Sequence, residues 1–105
     1  MTLIGALIKD SKVEAVKGKN IGELLLDDVC LLVVDDVSST IYIWCGQKAN
    51  VKDKFMASRL AHGLNGRLFG MAGKVNQQRD LIKEKFSEKA FDDDVPLEHI
   101  KAILG

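Results

Sequence analysis

The stretch DDVCLLVVDDVSSTIYIWCG, residues 27–46, decides the fold of this chain. Residues 29–34 are apolar at every position, which is typical of a central strand covered on both faces of a sheet. Residues 41–45 are rich in β-branched and aromatic side chains, and the segment between the two runs is mostly polar. The pattern predicts a hairpin of two antiparallel strands at the centre of a sheet.

A long amphipathic helix is predicted to follow the hairpin, from Asn50 to Leu64. The Asn50 side chain can cap this helix, and Asp53 occupies the position from which a capping box is closed. Apolar residues at helical spacing predict the face toward the sheet: Phe55 or Met56, then Ala57, Leu60, Ala61 and Leu64. The opposite, outward positions are Lys52, Met56, Arg59, His62, Gly63 and Gly66.

The segments on either side of this centre are predicted from turn and helix signals. Two strands, residues 3–9 and 12–17, flank the polar turn pair Asp10-Ser11. After the long helix we expect a strand at residues 67–72 and a helix at residues 77–89. A short terminal helix, residues 97–104, is predicted to begin just after Pro96.

Length and composition favour a globular protein. A chain of 105 residues has room for one core, so a single domain over residues 1–105 is expected. The net charge is zero, which removes the broad positive field that nucleic-acid binding needs. No apolar run approaches the roughly 20 residues of a transmembrane helix. The apolar start lacks a preceding basic residue and a clean cleavage site, so we interpret it as a strand and expect a cytoplasmic protein.

The order of these features resembles the centre of a gelsolin/villin-type domain. An acidic pair, a buried strand, a turn, an aromatic strand ending in Trp44-x-Gly46 and a helix opened by Asn50 follow in that family's order. The resemblance implies an α+β gelsolin-like fold, with a central mixed β-sheet flanked by a long helix and shorter C-terminal helices. It also implies actin as the partner and a cytoskeletal location.

Gelsolin-like domains often bind calcium, and the resemblance implies which residues would hold it here. The ligands carried over by position are the Asp28 side chain, the Asp27 carbonyl and the Asp53 carboxylate. The family usually has the longer Glu at the position of Asp53. The alternative is that Asp53 only stabilises the helix start through capping and the helix dipole, and that Asp27 and Asp28 are a polar strand entrance.

In the same family the long helix enters the cleft between two lobes of actin. The residues that the resemblance places in this contact are Met56, Arg59, His62, Gly63 and Gly66. The resemblance implies that a single module of this kind caps, sequesters or otherwise modulates actin assembly, and that calcium can regulate it. Self-association could supply a second contact. The oligomeric state is left open by the sequence. The alternative is a gelsolin-like structural or interaction module that does not bind actin, as in vesicle-coat proteins with this fold.

Three further points complete the sequence-based expectations. An enzyme is not expected, because no nucleophile, base and orienting acid can be assembled from spacing in a chain with two histidines. Lys9, Lys12, Lys17 and Lys19 could contact an anionic membrane surface, but a solvated strand face is the simpler interpretation.

Cys30 and Cys45 face each other if Val34 pairs with Ile41. One domain of the gelsolin family carries a disulfide on this hairpin, whereas a reducing cytoplasm favours two thiols that act as small hydrophobes.

Overall fold

A five-stranded β-sheet forms the centre of the structure, a computed structural model that describes residues 3–94 together with residues 98 and 101. The strands, in chain order, are β1 (Leu3–Lys9), β2 (Lys12–Val16), β3 (Cys30–Asp35), β4 (Thr40–Cys45) and β5 (Lys74–Asn76). They lie side by side in the order β2-β1-β3-β4-β5. The β4–β5 pair is parallel and the other pairs are antiparallel, so the predicted mixed sheet is confirmed.

The register of the β3–β4 hairpin places the two cysteines opposite each other. Val34 pairs with Ile41, and Cys30 pairs with Cys45. Every residue of β3 is buried. Because side chains alternate along a strand, successive residues of β3 enter two different hydrophobic clusters, one on each face of the sheet. The prediction of a central strand covered on both faces is therefore confirmed.

The long helix α1 (Val51–Leu68) packs on one face of this sheet. Ala57, Ala61 and Leu64 are fully buried against it, and Leu60 packs partly buried at the margin. Asn50 caps the helix as predicted, since its side-chain oxygen accepts a hydrogen bond from the backbone N–H of Asp53 at 2.7 Å.

The second helix, α2 (Arg79–Phe86), belongs to the cluster on the other face. The buried Phe86 ring meets the Tyr42 ring edge to face, with the ring centroids 4.9 Å apart. Trp44 is buried in the same cluster, and its indole N–H donates a hydrogen bond to the carbonyl of Leu26 at 3.0 Å. Trp44 is therefore a core residue, as the sequence predicts.

The segment after the long helix differs from the prediction. Residues 67–72 do not form a strand, because α1 continues to Leu68 and a 3-10 turn, Gly70–Ala72, follows it. The helix continues past Gly63 and Gly66 because Leu64 and Leu68 still pack on the core. Gly70 adopts a left-handed φ of 59°, a typical end of a helix, and the strand β5 begins only at Lys74.

The C-terminal helices are only partly described. The helix predicted at residues 77–89 is observed as the shorter α2. The predicted terminal helix, residues 97–104, lies outside the described residues. Over the described part of the chain, no helix combines the length and apolarity needed to cross a membrane.

Candidate functional site

The solvent-facing side of α1 combines apolar, basic and glycine residues. We call it the outward face, and its members are Val51, Phe55, Arg59, His62, Gly63 and Gly66, all of them exposed. Val51 and Phe55 are 67% and 68% exposed. They are one helical turn apart, so their side chains are neighbours and form one apolar patch next to Arg59. A contiguous apolar patch that is exposed on a helix is a candidate contact for a partner.

Met56 does not belong to this face, which corrects the predicted set of contact residues. It is only partly exposed and packs against the cluster between α1 and the sheet. The buried side of the helix is centred on Ala57, Ala61 and Leu64, so Met56 lies on its flank and Phe55 lies on the far side. The stripe of small and fully apolar residues in the sequence was the signal that could have decided between Phe55 and Met56.

The glycines of the outward face have no packing role inside the described structure. A Cβ atom added to Gly66 would meet no atom within 4 Å, and one added to Gly63 would meet only the Arg67 side chain, at 3.7 Å. Glycine inside a helix costs about 1 kcal/mol relative to alanine. The space above these two glycines is open to another backbone, which could approach the helix closely.

Asp53 lies on the opposite side of the helix and joins it to the first hairpin. Its side chain is 1% exposed. One carboxylate oxygen accepts the backbone N–H of Asp10 at 3.0 Å, and the other accepts that of Ser11 at 2.8 Å. In a capping box this carboxylate would accept the backbone N–H of Asn50. Here the Asp53 carboxylate holds the turn between β1 and β2 instead.

Asp27 and Asp28 lie at the entrance to β3, as predicted. The half-exposed Asp28 carboxylate pairs with the Lys9 ammonium group at 3.3 Å. The Asp27 carbonyl accepts the backbone N–H of Lys48 at 2.7 Å and lies against the Cα atom of Gly46, where a side chain would collide with it. Each predicted calcium ligand therefore already has a partner within the chain.

These three residues do not fit a calcium site as they are arranged. Within the described residues, no three His, Cys, Asp or Glu side chains are grouped so that they could hold a metal ion. Calcium needs several oxygen ligands at once. Asp53 is buried and directs both of its carboxylate oxygens to the turn amides. Calcium binding by Asp27, Asp28 and Asp53 stays a prediction.

A sheet of this order with α1 on one face and α2 on the other is the architecture of a gelsolin-like domain. The chain is similar to a chain in the crystal structure of the Thorarchaeota ProGel/rabbit actin complex, with a TM-score of 0.62 and 23% sequence identity. The similarity covers 73% of this chain and 84% of that chain, and it shows the gelsolin-like fold. No protein-family model matches the chain, and no curated protein does.

Proposed function

We propose that this chain is an actin-binding module of the gelsolin type, and that it contacts actin through the outward face of α1. The observation that carries the proposal is the exposed apolar patch of Val51 and Phe55 on the long helix. The protein of similar fold, ProGel, was crystallised as a complex with rabbit actin, which supports the choice of partner.

The chemistry of the outward face suits a helix that enters a hydrophobic groove. In that recognition mode, apolar anchors at helical spacing enter the groove and polar residues remain at its rim. Phe55 is the largest apolar side chain of the face and serves as the anchor, with Val51 beside it. Arg59 and His62 supply polar contacts at the rim. Gly63 and Gly66 let the helix backbone approach the wall of the groove.

One contact face of this kind reaches one actin subunit. The proposed activity is therefore to cap filaments or to sequester monomers, because severing and nucleation usually require contact with two subunits. The same proposal includes a cytoskeletal location, a single domain over residues 1–105 and any dependence on calcium.

The test compares Phe55→Asp with Met71→Asp for binding to actin monomers and for co-sedimentation with filaments, each with calcium and with a chelator. Met71 is the matched control, because it is an apolar side chain fully exposed outside α1. Phe55→Asp should abolish binding, and Met71→Asp should bind like the wild type. Both variants should keep the wild-type stability within about 0.5 kcal/mol, since both positions are exposed.

Binding that survives Phe55→Asp would show that α1 is not the contact surface. Binding lost equally in both variants would indicate a nonspecific apolar interaction. No binding by the wild type in any condition would contradict the actin proposal itself, and the chain would then be better explained as a structural module with this fold.

A further inference from the structure

Cys30 and Cys45 form a close pair at one end of the central hairpin. Cys30 begins β3, Cys45 ends β4, and the two residues lie directly opposite each other. Both are free thiols, and their sulfur atoms are 3.1 Å apart, with Cys30 as the donor of a hydrogen bond to Cys45. The two cysteines therefore already contact each other through their side chains.

The backbone around this pair has the geometry that a disulfide requires. The N–H of Gly46 donates to the carbonyl of Val29 at 3.0 Å. That bond belongs to the neighbouring pair of residues, so Cys30 and Cys45 occupy a non-hydrogen-bonded position of the antiparallel ladder, where opposite Cα atoms are about 4.5 Å apart. Disulfides join Cα atoms separated by about 4.4 to 6.8 Å. The register of the two strands therefore permits a disulfide between them.

The two thiols differ in access and in acidity. Cys30 is completely buried, whereas Cys45 is partly exposed at the end of β4. The hydrogen bond from Cys30 lowers the pKa of Cys45, with help from the charges of Lys54 and Arg79, although burial acts in the opposite direction. The same hydrogen bond, together with burial, raises the pKa of Cys30. Cys45 is thus the more accessible and the more acidic thiol of the pair.

We propose that Cys45 is a site of thiol–disulfide exchange with small disulfides such as oxidised glutathione, and that Cys30 completes the reaction by closing a Cys30–Cys45 disulfide. The Cys45 thiolate attacks one sulfur of oxidised glutathione, forms a mixed disulfide and releases one glutathione thiolate. The Cys30 thiolate then attacks the Cys45 sulfur and releases the second glutathione thiolate. The two released thiolates take up the two cysteine protons and carry the two electrons, so the chain is oxidised and glutathione is reduced.

The bond would lock the hairpin beside the start of α1. It cross-links the two central strands and closes the loop formed by residues 30–45. Closing a loop in the unfolded chain raises the stability of the folded state. The oxidised protein should therefore melt at a higher temperature than the reduced protein. This consequence is independent of actin binding, so it can be measured on the chain alone.

The experiment equilibrates the folded chain in glutathione buffers from fully reduced to mainly oxidised, and then measures the intact mass, the free thiols and the melting temperature. Both thiols should disappear together, with the loss of two hydrogen atoms and no bound glutathione. The melting temperature should rise by about 5 °C or more, and dithiothreitol should reverse both changes.

Two single variants test the order of the steps. Cys30→Ala should accumulate a glutathione adduct on Cys45, whereas Cys45→Ala should remain unmodified because its only thiol is buried, and the melting curve of each variant shows that it is folded. Thiols that stay free at the oxidised end, a lasting glutathione adduct on the wild type, or disulfide-linked dimers would overturn the proposal. Equal modification of the two single variants would overturn the assignment of Cys45 as the attacking thiol.

Discussion

At the scale of the single residue, Asp53 connects parts of the chain that are far apart in sequence. Asp10 and Ser11 both have left-handed backbone angles, with φ of 50° and 64°, as the two central residues of a type I′ turn require. Neither is glycine, so the turn is strained. The two hydrogen bonds to the buried Asp53 carboxylate stabilise it and fix the first turn of α1 to the hairpin tip.

We expect Asp53→Asn to destabilise the protein by about 1 to 3 kcal/mol, because the amide has one acceptor oxygen and leaves a turn N–H without a partner. Urea denaturation followed by circular dichroism measures this change. The matched control is Asp28→Asn, whose half-exposed ion pair with Lys9 should contribute less than about 1 kcal/mol. Equal losses in the two variants would contradict the structural role of Asp53.

At the scale of the element, α1 has two faces with different tasks. The side that carries Ala57, Ala61 and Leu64 holds the helix on the sheet. The outward face contributes little to folding. Its two glycines weaken the helix, and no close contact within the described structure requires a glycine at either position. The open space above these glycines is the feature that the proposed contact would use.

Gly66→Ala should therefore separate stability from binding. The new methyl group meets no atom of the chain, so the free energy of unfolding should rise by up to about 1 kcal/mol. Actin affinity should fall, because the methyl group occupies the space that a closely packed partner would use. Thermal melts and monomer-binding titrations measure the two effects.

The control for the helix is Lys54→Ala, an exposed position on the flank of the side that bears Ala57 and Ala61, and it should also raise helix propensity, by about 0.5 kcal/mol or less. Its actin affinity should match that of the wild type. Unchanged affinity in Gly66→Ala would mean that the partner does not approach this end of the helix.

At the scale of the whole molecule, a segment near the end of the described chain closes one face of the sheet. Phe91 is buried in the cluster that contains Trp44, and its ring lies over Gly5 so closely that a Cβ atom there would collide with it. The backbone N–H of Phe91 donates to the carbonyl of Lys19 at 2.9 Å, and that of Asp92 donates to the carbonyl of Leu3 at 3.0 Å. These contacts tie residues 91–92 to the first strand and to the linker after β2.

We expect Gly5→Ala to cost about 1 to 3 kcal/mol, since the added methyl group overlaps the Phe91 ring. In the double variant with Phe91→Leu, the smaller side chain should relieve part of this loss, so the two changes should not be additive. Denaturant melts of the two single variants and the double variant measure the coupling. Strict additivity would show that Phe91 does not pack on Gly5 in solution.

Those features that depend on neighbouring residues were predictable from the sequence alone. The apolar run of residues 29–34, the polar segment after it and the β-branched and aromatic residues 41–45 predicted the central hairpin. The register became certain only in the structure, where the paired strands extend to Asp35 and Thr40. Asn50 marks the start of α1 for the same local reason. The family resemblance added the correct fold, which no single motif specified.

The tertiary structure decided those features that the local sequence pattern does not determine. Phe55 and Met56 are adjacent on the helix; the apolar spacing narrows the choice between them, and the packing of Ala57 and Ala61 on the sheet settles that Phe55 is the exposed one. The position of β5 depended on where α1 stops packing. The Asp53 carboxylate accepts hydrogen bonds from Asp10 and Ser11, which are 43 and 42 residues away in sequence. Such contacts follow from the three-dimensional arrangement of whole elements, which sequence spacing does not encode.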